Sequence, residues 1–210
     1  MNEVTTTQAF EPREAAVPQT LKLADGTANP APLGLLAFGL TTVLLSMHNA
    51  GLFGLDAMIL AMAVFYGGIA QIFAGAFEWR KNNTFAATAF TSYGFFWLTL
   101  AGIITFPTLG LAEPPSQTAM AAYLGMWGLL TFVMFIGTLR LNRALQLTFF
   151  LLTLAFALLA IGDLLGNPTL KTIAGWEGIV LGFCAIYTGL AQVINEVYGR
   201  VIMPLGVVAK

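Results

Sequence analysis

Six long apolar segments, separated by short polar stretches, follow one another along the chain after residue 28. An α-helix needs roughly 20 consecutive apolar residues to cross a hydrocarbon core about 30 Å thick, and each segment is close to that length. The polar stretches hold the charged residues, glycines and prolines that commonly end helices. The pattern predicts six membrane-spanning helices, over Ala31–His48, Asp56–Phe77, Thr84–Phe106, Thr118–Leu139, Ala144–Ile161 and Ile173–Val197.

The spacing of these segments also predicts the domain organisation. No polar stretch between them is long enough to separate two folding units, so we expect one six-helix transmembrane domain over residues 29–204. Residues 1–28 are polar and lack a basic start followed by an apolar run, which argues against a signal peptide. We expect them to form a disordered cytoplasmic tail, and residues 205–210 to form a short cytoplasmic C-terminal tail.

The composition supports a membrane protein and excludes several other classes. Hydrophobic residues make up 58% of the 210 residues and charged residues only 9%, whereas soluble domains carry about a quarter charged residues. The net charge of −1 leaves no basic surface for nucleic acid. The single cysteine, Cys184, cannot form an intrachain disulfide. We therefore expect an all-α integral membrane protein.

Basic residues collect on one side of the predicted bundle. Eight of the nine lysines and arginines fall on that side: Arg13, Lys22, Arg80, Lys81, Arg140, Arg143, Arg200 and Lys210. Lys171 alone falls on the opposite side. Short loops rich in Lys and Arg stay in the cytoplasm. Both termini are therefore expected to be cytoplasmic.

The first span opens with the run Asn-Pro-Ala-Pro-Leu-Gly-Leu over residues 29–35. Asn29 is a good N-cap, and proline suits the first turn of a helix, where N–H groups lack partners in any case. Two interpretations stay open. The run is either a well-formed helix start or one whose free N–H groups and macrodipole also attract an anion.

Polar side chains recur in the spans without any lysine or arginine among them. Thr41 and Thr42 lie in the first span, Gln71 in the second, and Thr88 and Thr91 on one helical face of the third. Such residues often bond their own backbone or join neighbouring helices, and together they would also suit a partly wet path. Neutral donors suit a weakly held anion or its neutral acid, which is cheaper to desolvate.

His48, the single histidine, lies near the outer end of the first span. It could shuttle protons, or it could be an interfacial residue bonded to Asn49 or to a loop carbonyl. One histidine, no cluster of metal ligands and no Gly-x-Ser-x-Gly elbow provide no chemistry for an enzyme. We expect no cofactor and no metal.

The motifs resemble those of the acetate uptake transporter family, which includes the bacterial succinate–acetate permeases. Besides the run at residues 29–35, the likeness extends over Phe38-Gly-Leu-Thr-Thr, Met47-His-Asn, Phe65-Tyr-Gly-Gly-Ile-Ala-Gln-Ile-Phe-Ala-Gly, Asn83-Thr-Phe and Thr91-Ser-Tyr-Gly-Phe-Phe-Trp. The resemblance implies a multi-pass protein of the cell inner membrane, six helices per protomer, a hexamer, and a pathway for small carboxylates in each protomer.

The resemblance also implies roles for individual residues. It places Phe38, Tyr93 and Leu152 at the narrow point of the pathway, and Ala185 at a position that sets its bore. From the residues alone, Phe38 and Leu152 would be assigned to core packing. The chain departs from the fungal relatives at Asn82, where they have a glutamate.

The expected function is transport of acetate, with the preference between acetate and succinate left open. Proton-coupled symport and an anion channel are both open mechanisms. The alternative is a channel for water or small neutral solutes, because Asn29-Pro-Ala is also the aquaporin triplet. Such channels use two copies on half-helices and a filter arginine, and here one copy begins a full span and no span contains arginine.

Overall fold

A computed structural model describes residues 26–208, and this part of the chain contains six helices long and apolar enough to cross a membrane. The all-α six-span prediction is confirmed, and the protein is a multi-pass membrane protein. Of the predicted N-terminal tail, residues 1–25 lie outside the described part of the chain. The helices are α1 (Ala31–Asn49), α2 (Ala57–Arg80), α3 (Thr84–Thr108), α4 (Gln117–Thr138), α5 (Arg143–Leu164) and α6 (Pro168–Tyr198).

Asparagine, aspartate and serine side chains start most of these helices. Asn83, Asn142 and Asn167 accept hydrogen bonds from the first free N–H groups of α3, α5 and α6, as Asp56 and Ser116 do for α2 and α4. Capping of this kind satisfies donors that have no partner within the helix. It also explains why α6 starts at Pro168, earlier than predicted: Asn-Pro there is a helix start.

The middle of α2 is not an ordinary α-helix. Residues Met62–Ala70 form a π-helix that includes Gly67 and Gly68. A Cβ added at Gly67 would lie 2.9 Å from side-chain atoms of both Thr41 and Trp97. The wider turn, which is common near functional sites, therefore brings the α2 backbone against α1 and α3.

Helices α1 and α6 pack with their backbones close together. A Cβ at Gly182 would lie 2.5 Å from a methyl carbon of Val43 and 2.8 Å from the carbonyl oxygen of Gly39. Gly175 and Gly178 sit equally close to the C-terminal end of α1 and the residue that follows it. Small residues allow such approach in membranes, where van der Waals contact replaces the hydrophobic effect between helices.

The C-terminal segment folds back onto the loop between α4 and α5. Gly199 ends α6 with a φ of 61°, in the left-handed region that glycine adopts freely. Arg143 N–H then donates to the Gly206 carbonyl at 2.8 Å, and Val208 N–H donates to the Leu141 carbonyl at 3.1 Å. Residues 205–208 therefore pack against the helical domain, and the predicted boundary after residue 204 stays a prediction.

Candidate functional site

Phe38, Tyr93 and Leu152 lie together in one buried cluster at the centre of the bundle, although α1, α3 and α5 contribute one each. Each side chain is less than 7% exposed. The rings of Phe38 and Tyr93 have their centroids 6.0 Å apart, within the usual range for aromatic pairs. Ala185 of α6 is fully buried in the same cluster. The structure thus brings together the four residues that the family resemblance singled out.

Two further aromatic rings contact Tyr93. Phe149 of α5 has its centroid 6.1 Å from that of Tyr93, and Trp127 of α4 has its centroid at 6.4 Å. The phenol donates to the hydroxyl of Thr131 at 3.0 Å, and Thr131 in turn donates to the carbonyl of Trp127 at 2.7 Å. A buried phenol needs such a partner, and the pair fixes the position of the ring.

A wide cavity of about 690 Å³ lies on one side of this cluster. We call it the wide cavity. Its wall includes Lys81, Arg140 and Glu78, the amides of Asn29 and Gln192, and apolar side chains from Leu35 to Phe149. Residues 205, 207 and 208 of the C-terminal segment complete the wall. Charges of both signs therefore stand at the end of the bundle where Lys and Arg are concentrated.

A narrow cavity of about 50 Å³ lies on the other side of the cluster. We call it the narrow cavity. Phe38 and Leu152 form part of its wall, and its polar wall residues include Thr42, Ser46 and Trp97. Thr42 Oγ1 and Trp97 Nε1 are buried and have no hydrogen-bond partner among the described residues.

On each of the four helices that contribute these residues, the lining changes from the wide cavity to the narrow cavity at the cluster. On α1 the lining changes from Leu35 to Phe38, and on α5 it changes from Phe149 to Leu152. On α3 and α6, Tyr93 and Ala185 lie between the stretches that line the two cavities, and neither residue lines a cavity itself. The cluster is therefore the partition between the two spaces.

Asn29 lies in the wall of the wide cavity at the start of α1. Its side-chain N–H donates to Gln192 Oε1 at 3.0 Å, and its Oδ1 accepts from the N–H of Ala31 at 3.1 Å. Pro30 occupies the N-cap position that was expected for Asn29. Pro30 and Pro32 have no N–H, and Gly34 N–H donates to the Pro30 carbonyl. These groups account for most of the first-turn donors that an anion would need.

Glu78 supplies a carboxylate to the wall of the wide cavity. It is only 2% exposed, and its Oε2 accepts from the side-chain amide of Asn83 at 2.8 Å. Asn82, between α2 and α3, adopts a φ of 56°, which asparagine tolerates better than most residues. The carboxylate comes from the last turn of α2 and faces the wide cavity.

Thr41 and Gln71 are fully buried at the contact between α1 and α2. The hydroxyl of Thr41 lies 3.5 Å from the Met62 carbonyl, at the beginning of the π-helix. Gln71 directly follows the π-helix, and its Oε1 is buried without a partner among the described residues. Neither residue lines the wide or the narrow cavity.

Thr88 and Thr91 line neither the wide cavity nor the narrow cavity. With Thr84 they line a separate groove beside Trp79 and Asn82, which confirms that these hydroxyls share one face of the helix. An added Cβ at Gly75 would meet Thr91 Oγ1, so α2 packs closely there. The structure does not bring Thr88 or Thr91 to the central cluster, and their assignment to the pathway stays a prediction.

His48 lies in the last turn of α1. Its Nδ1 is 3.0 Å from the carbonyl oxygen of Phe53, in the loop before α2. One ring nitrogen is thus engaged by a loop carbonyl, and the relay role stays a prediction. Within residues 26–208, no group of three or more histidine, cysteine, aspartate or glutamate side chains could hold a metal ion.

Three residues in the walls of the two cavities, Phe149, Trp97 and Glu78, were not predicted as site residues from the sequence. Phe149 lies one turn before Leu152 on the same face of α5, and Trp97 one turn after Tyr93 on α3, so helical spacing from the named residues could have found both. Glu78 had no such signal, because a glutamate in a polar break is usually a solvated loop residue.

Comparison with known proteins gives consistent results. The family model described as the GPR1/FUN34/yaaH family matches residues 9–206. The chain is 56% identical to the succinate-acetate/proton symporter SatP of Escherichia coli K12, over 85% of this chain and 95% of that protein. It is 37% identical to acetate permease A of Emericella nidulans, over 85% of this chain and 65% of the permease.

A solved structure also matches. The structure of the bacterial acetate channel SatP aligns with a TM-score of 0.85 and 56% sequence identity, covering 86% of this chain and 99% of that one.

Proposed function

The chain belongs to the GPR1/FUN34/yaaH family, and on that premise we propose that it carries acetate across the membrane by a path through the protomer. Relatives named as a succinate-acetate/proton symporter, an acetate permease and an acetate channel support this substrate class. We leave open whether succinate is a second substrate.

The observation that carries the proposal is the partition between the two cavities. A solute that moves from the wide cavity to the narrow one has to pass Phe38, Tyr93 and Leu152. These bulky side chains leave little room and offer no compensation for the water that a carboxylate would lose. The partition is therefore a steric and desolvating constriction, and Ala185 at the same level sets its width.

The chemistry on the two sides suits a small anion that must also leave. Lys81 and Arg140 in the wall of the wide cavity attract a carboxylate from water, and Glu78 beside them limits how strongly it is held. Within the spans the donors are neutral hydroxyls, amides and an indole. Conduction requires binding that is weak enough to permit release.

The proposal covers both proton symport and a channel mechanism, because one relative is named a symporter and the solved structure is called a channel. In a symport mechanism His48 is the proposed relay. We further propose a hexamer in the cell inner membrane, with both termini and the wide cavity on the cytoplasmic side. The positive-inside rule supports this orientation.

Uptake of labelled acetate into proteoliposomes tests the proposed function. We expect saturable uptake above that of empty vesicles, together with no increase in water permeability. Stopped-flow light scattering on the same vesicles measures the latter. Faster water flow without acetate uptake would contradict the proposal in favour of a water channel. Recording current alongside flux separates the two mechanisms, because one-to-one acetate–proton symport is electroneutral and an anion channel is not.

A further inference from the structure

Glu177 is a glutamate of α6 whose carboxyl group is buried without a partner. It lies in the third turn of the helix, and its two carboxyl oxygens, Oε1 and Oε2, are both buried. Neither oxygen has a hydrogen bond to any of the described residues. A glutamate in a membrane helix usually faces a water-filled space, reaches the interface or pairs with a cation. Glu177 therefore lies in an environment that is costly for a charged side chain.

The charged side chains of the neighbouring helices are engaged by other groups. Helix α6 packs against α1 and α5, whose charged or titratable residues are His48, Arg143 and Asp163. One ring nitrogen of His48 lies 3.0 Å from a loop carbonyl oxygen, and Arg143 donates to an amide on its own helix. Asp163 forms an ion pair with Lys171 of α6. Within residues 26–208, no cation therefore contacts the Glu177 carboxyl group.

The surroundings of Glu177 favour the neutral form of its side chain. On α6 itself, Cys184 lies two turns later on the same face and brings no positive charge. Burying an ionised carboxylate without a partner costs far more than burying the neutral acid, and a group in such a place takes up a proton instead. The packing around Glu177 therefore suits a carboxylic acid and not a carboxylate.

The wall between Glu177 and the narrow cavity is thin. Three α6 residues that neighbour Glu177 line this cavity, namely Ala174, Gly178 and Leu181. Gly178 also lies against the hydroxyl of Ser46, which lines the same cavity from α1. The cavity has about 50 Å³, and a water molecule needs only about 10–15 Å³ of such space. The small residues beside Glu177 therefore leave a short route for a proton between the cavity and the carboxyl group.

We propose that Glu177 is a proton-binding site inside the membrane, which is neutral when acetate passes and exchanges its proton with the narrow cavity. A hydronium ion in the cavity gives a proton to one oxygen of the Glu177 carboxylate, and the proton later returns to water. The site rests on the proposed function, because its effect is exerted on acetate in the same cavity. It is distinct from His48, which lies in the last turn of α1.

The protonation of Glu177 changes the charge that acetate meets in the narrow cavity. When Glu177 is protonated, it presents no net charge behind the wall. When it is ionised, acetate in the cavity adds a second negative charge in a region of low dielectric constant, where repulsion is much stronger than in water. Acetate uptake should therefore fall as the pH rises through the ionisation of Glu177, because the side chain is charged only above it.

Infrared spectroscopy of the unmodified protein in lipid vesicles tests the proton-binding site directly. A protonated carboxyl group has a C=O stretching band that a carboxylate lacks. We expect such a band near neutral pH, and we expect Glu177→Gln to lose it and Glu196→Gln to retain it. Glu196 is the matched control, because it is exposed on the same helix. Absence of the band from the unmodified protein, or its persistence in Glu177→Gln, would overturn the proposal.

Acetate uptake into proteoliposomes tests the effect of the proton on transport. Glu177→Gln keeps the shape of the protonated side chain but cannot ionise. At a pH where the infrared band of the unmodified protein has disappeared, we expect Glu177→Gln to take up acetate about tenfold faster than the unmodified protein, after subtraction of uptake by empty vesicles. Glu177→Asp and Glu196→Gln should keep the pH dependence of the unmodified protein. An equal decline of uptake with pH in Glu177→Gln would overturn the proposal.

Failure of this site and failure of the proposed function give different results. Acetate uptake by the unmodified protein without an infrared band from Glu177 would disprove the site and leave the transport function intact. Absence of uptake above that of empty vesicles would instead disprove the proposed function, and the infrared band would still decide whether Glu177 binds a proton.

Discussion

The hydroxyl of Tyr93 on α3 donates to the hydroxyl of Thr131 on α4 at 3.0 Å, deep in the bundle. A second polar contact between α3 and α4 joins the hydroxyls of Thr99 and Tyr123, which lie 2.8 Å apart. Because its hydrogen is given to Thr131, Tyr93 cannot donate to a passing carboxylate at the same time. Its ring shapes the constriction, and its hydroxyl holds the ring in place.

We expect Tyr93→Phe to retain the selectivity of the pathway. The phenyl ring keeps the bulk at the constriction, while the loss of the bond to Thr131 lowers stability by about 1 kcal/mol. Thr131 still donates to the Trp127 carbonyl, so no buried donor loses its partner. Acetate uptake should fall moderately with an unchanged ratio of acetate to lactate uptake. A gain of lactate uptake in this variant would show that the hydroxyl itself limits the aperture.

Leu152→Ala should widen the constriction. It removes three carbons between the two cavities, so larger monocarboxylates such as lactate should enter, at a cost of about 2–5 kcal/mol in stability. Ala185→Gly should act in the same direction but more weakly. Competition between labelled acetate and lactate in the same vesicles measures the change.

The matched control for Leu152→Ala is Leu154→Ala, on the partly exposed side of the same helix. It should leave the ratio of acetate to lactate uptake unchanged. If Leu152→Ala also left that ratio unchanged while reducing the uptake of both, Leu152 would be a packing residue and not part of a gate.

We expect Asn29→Ala to insert normally and to transport poorly. The substitution removes the bond to Gln192 in the wall of the wide cavity and the one that Ala31 N–H makes, at a stability cost of about 0.5–2 kcal/mol. Asn167→Ala is the matched control, since it also deletes an asparagine that directly precedes a proline at a helix start and accepts from a first-turn N–H group, away from both cavities. Equal uptake by the two variants, normalised to protein in the membrane, would mean that Asn29 only stabilises the start of α1.

Gly182→Ala should destabilise the bundle. The added methyl group would lie 2.5 Å from a side-chain carbon of Val43 and 2.8 Å from the Gly39 carbonyl oxygen, so α1 and α6 would have to separate. At Gly125 on α4, an added Cβ meets nothing within 4 Å, and Gly125→Ala should preserve or slightly raise stability. Thermal denaturation in detergent compares them. A similar melting temperature for the two variants would mean that α1 and α6 separate without cost.

The topology can be tested by cysteine labelling in a Cys184→Ala background. From outside intact cells, a membrane-impermeant maleimide should label Glu113→Cys, in the loop between α3 and α4, and should not label Lys81→Cys. The eight-to-one distribution of Lys and Arg gives this expectation. Labelling at position 81 with protection at position 113 would reverse the orientation.

The sequence by itself determined the number, type and approximate limits of the helices. Hydrocarbon cannot bond to backbone groups, so an apolar segment of this length has to become a helix. The one N-cap predicted from the sequence, Asn29, was wrong by one residue, because Pro30 occupies that position. Asn167 and Pro168 mark the start of α6 and not a break before Ile173. The family motifs located Phe38, Tyr93, Leu152 and Ala185.

Only the tertiary structure decided which face of each helix meets a cavity. In a membrane both the lipid-facing and the buried sides of a helix are apolar, so periodicity does not reveal the inner face as it does in water. Thr42 and Thr88 are indistinguishable in the sequence, yet one lines the narrow cavity and the other an outer groove. Close glycine contacts between α1 and α6 and the π-helix of α2 fix these rotations, because they determine how nearly each backbone can approach the next.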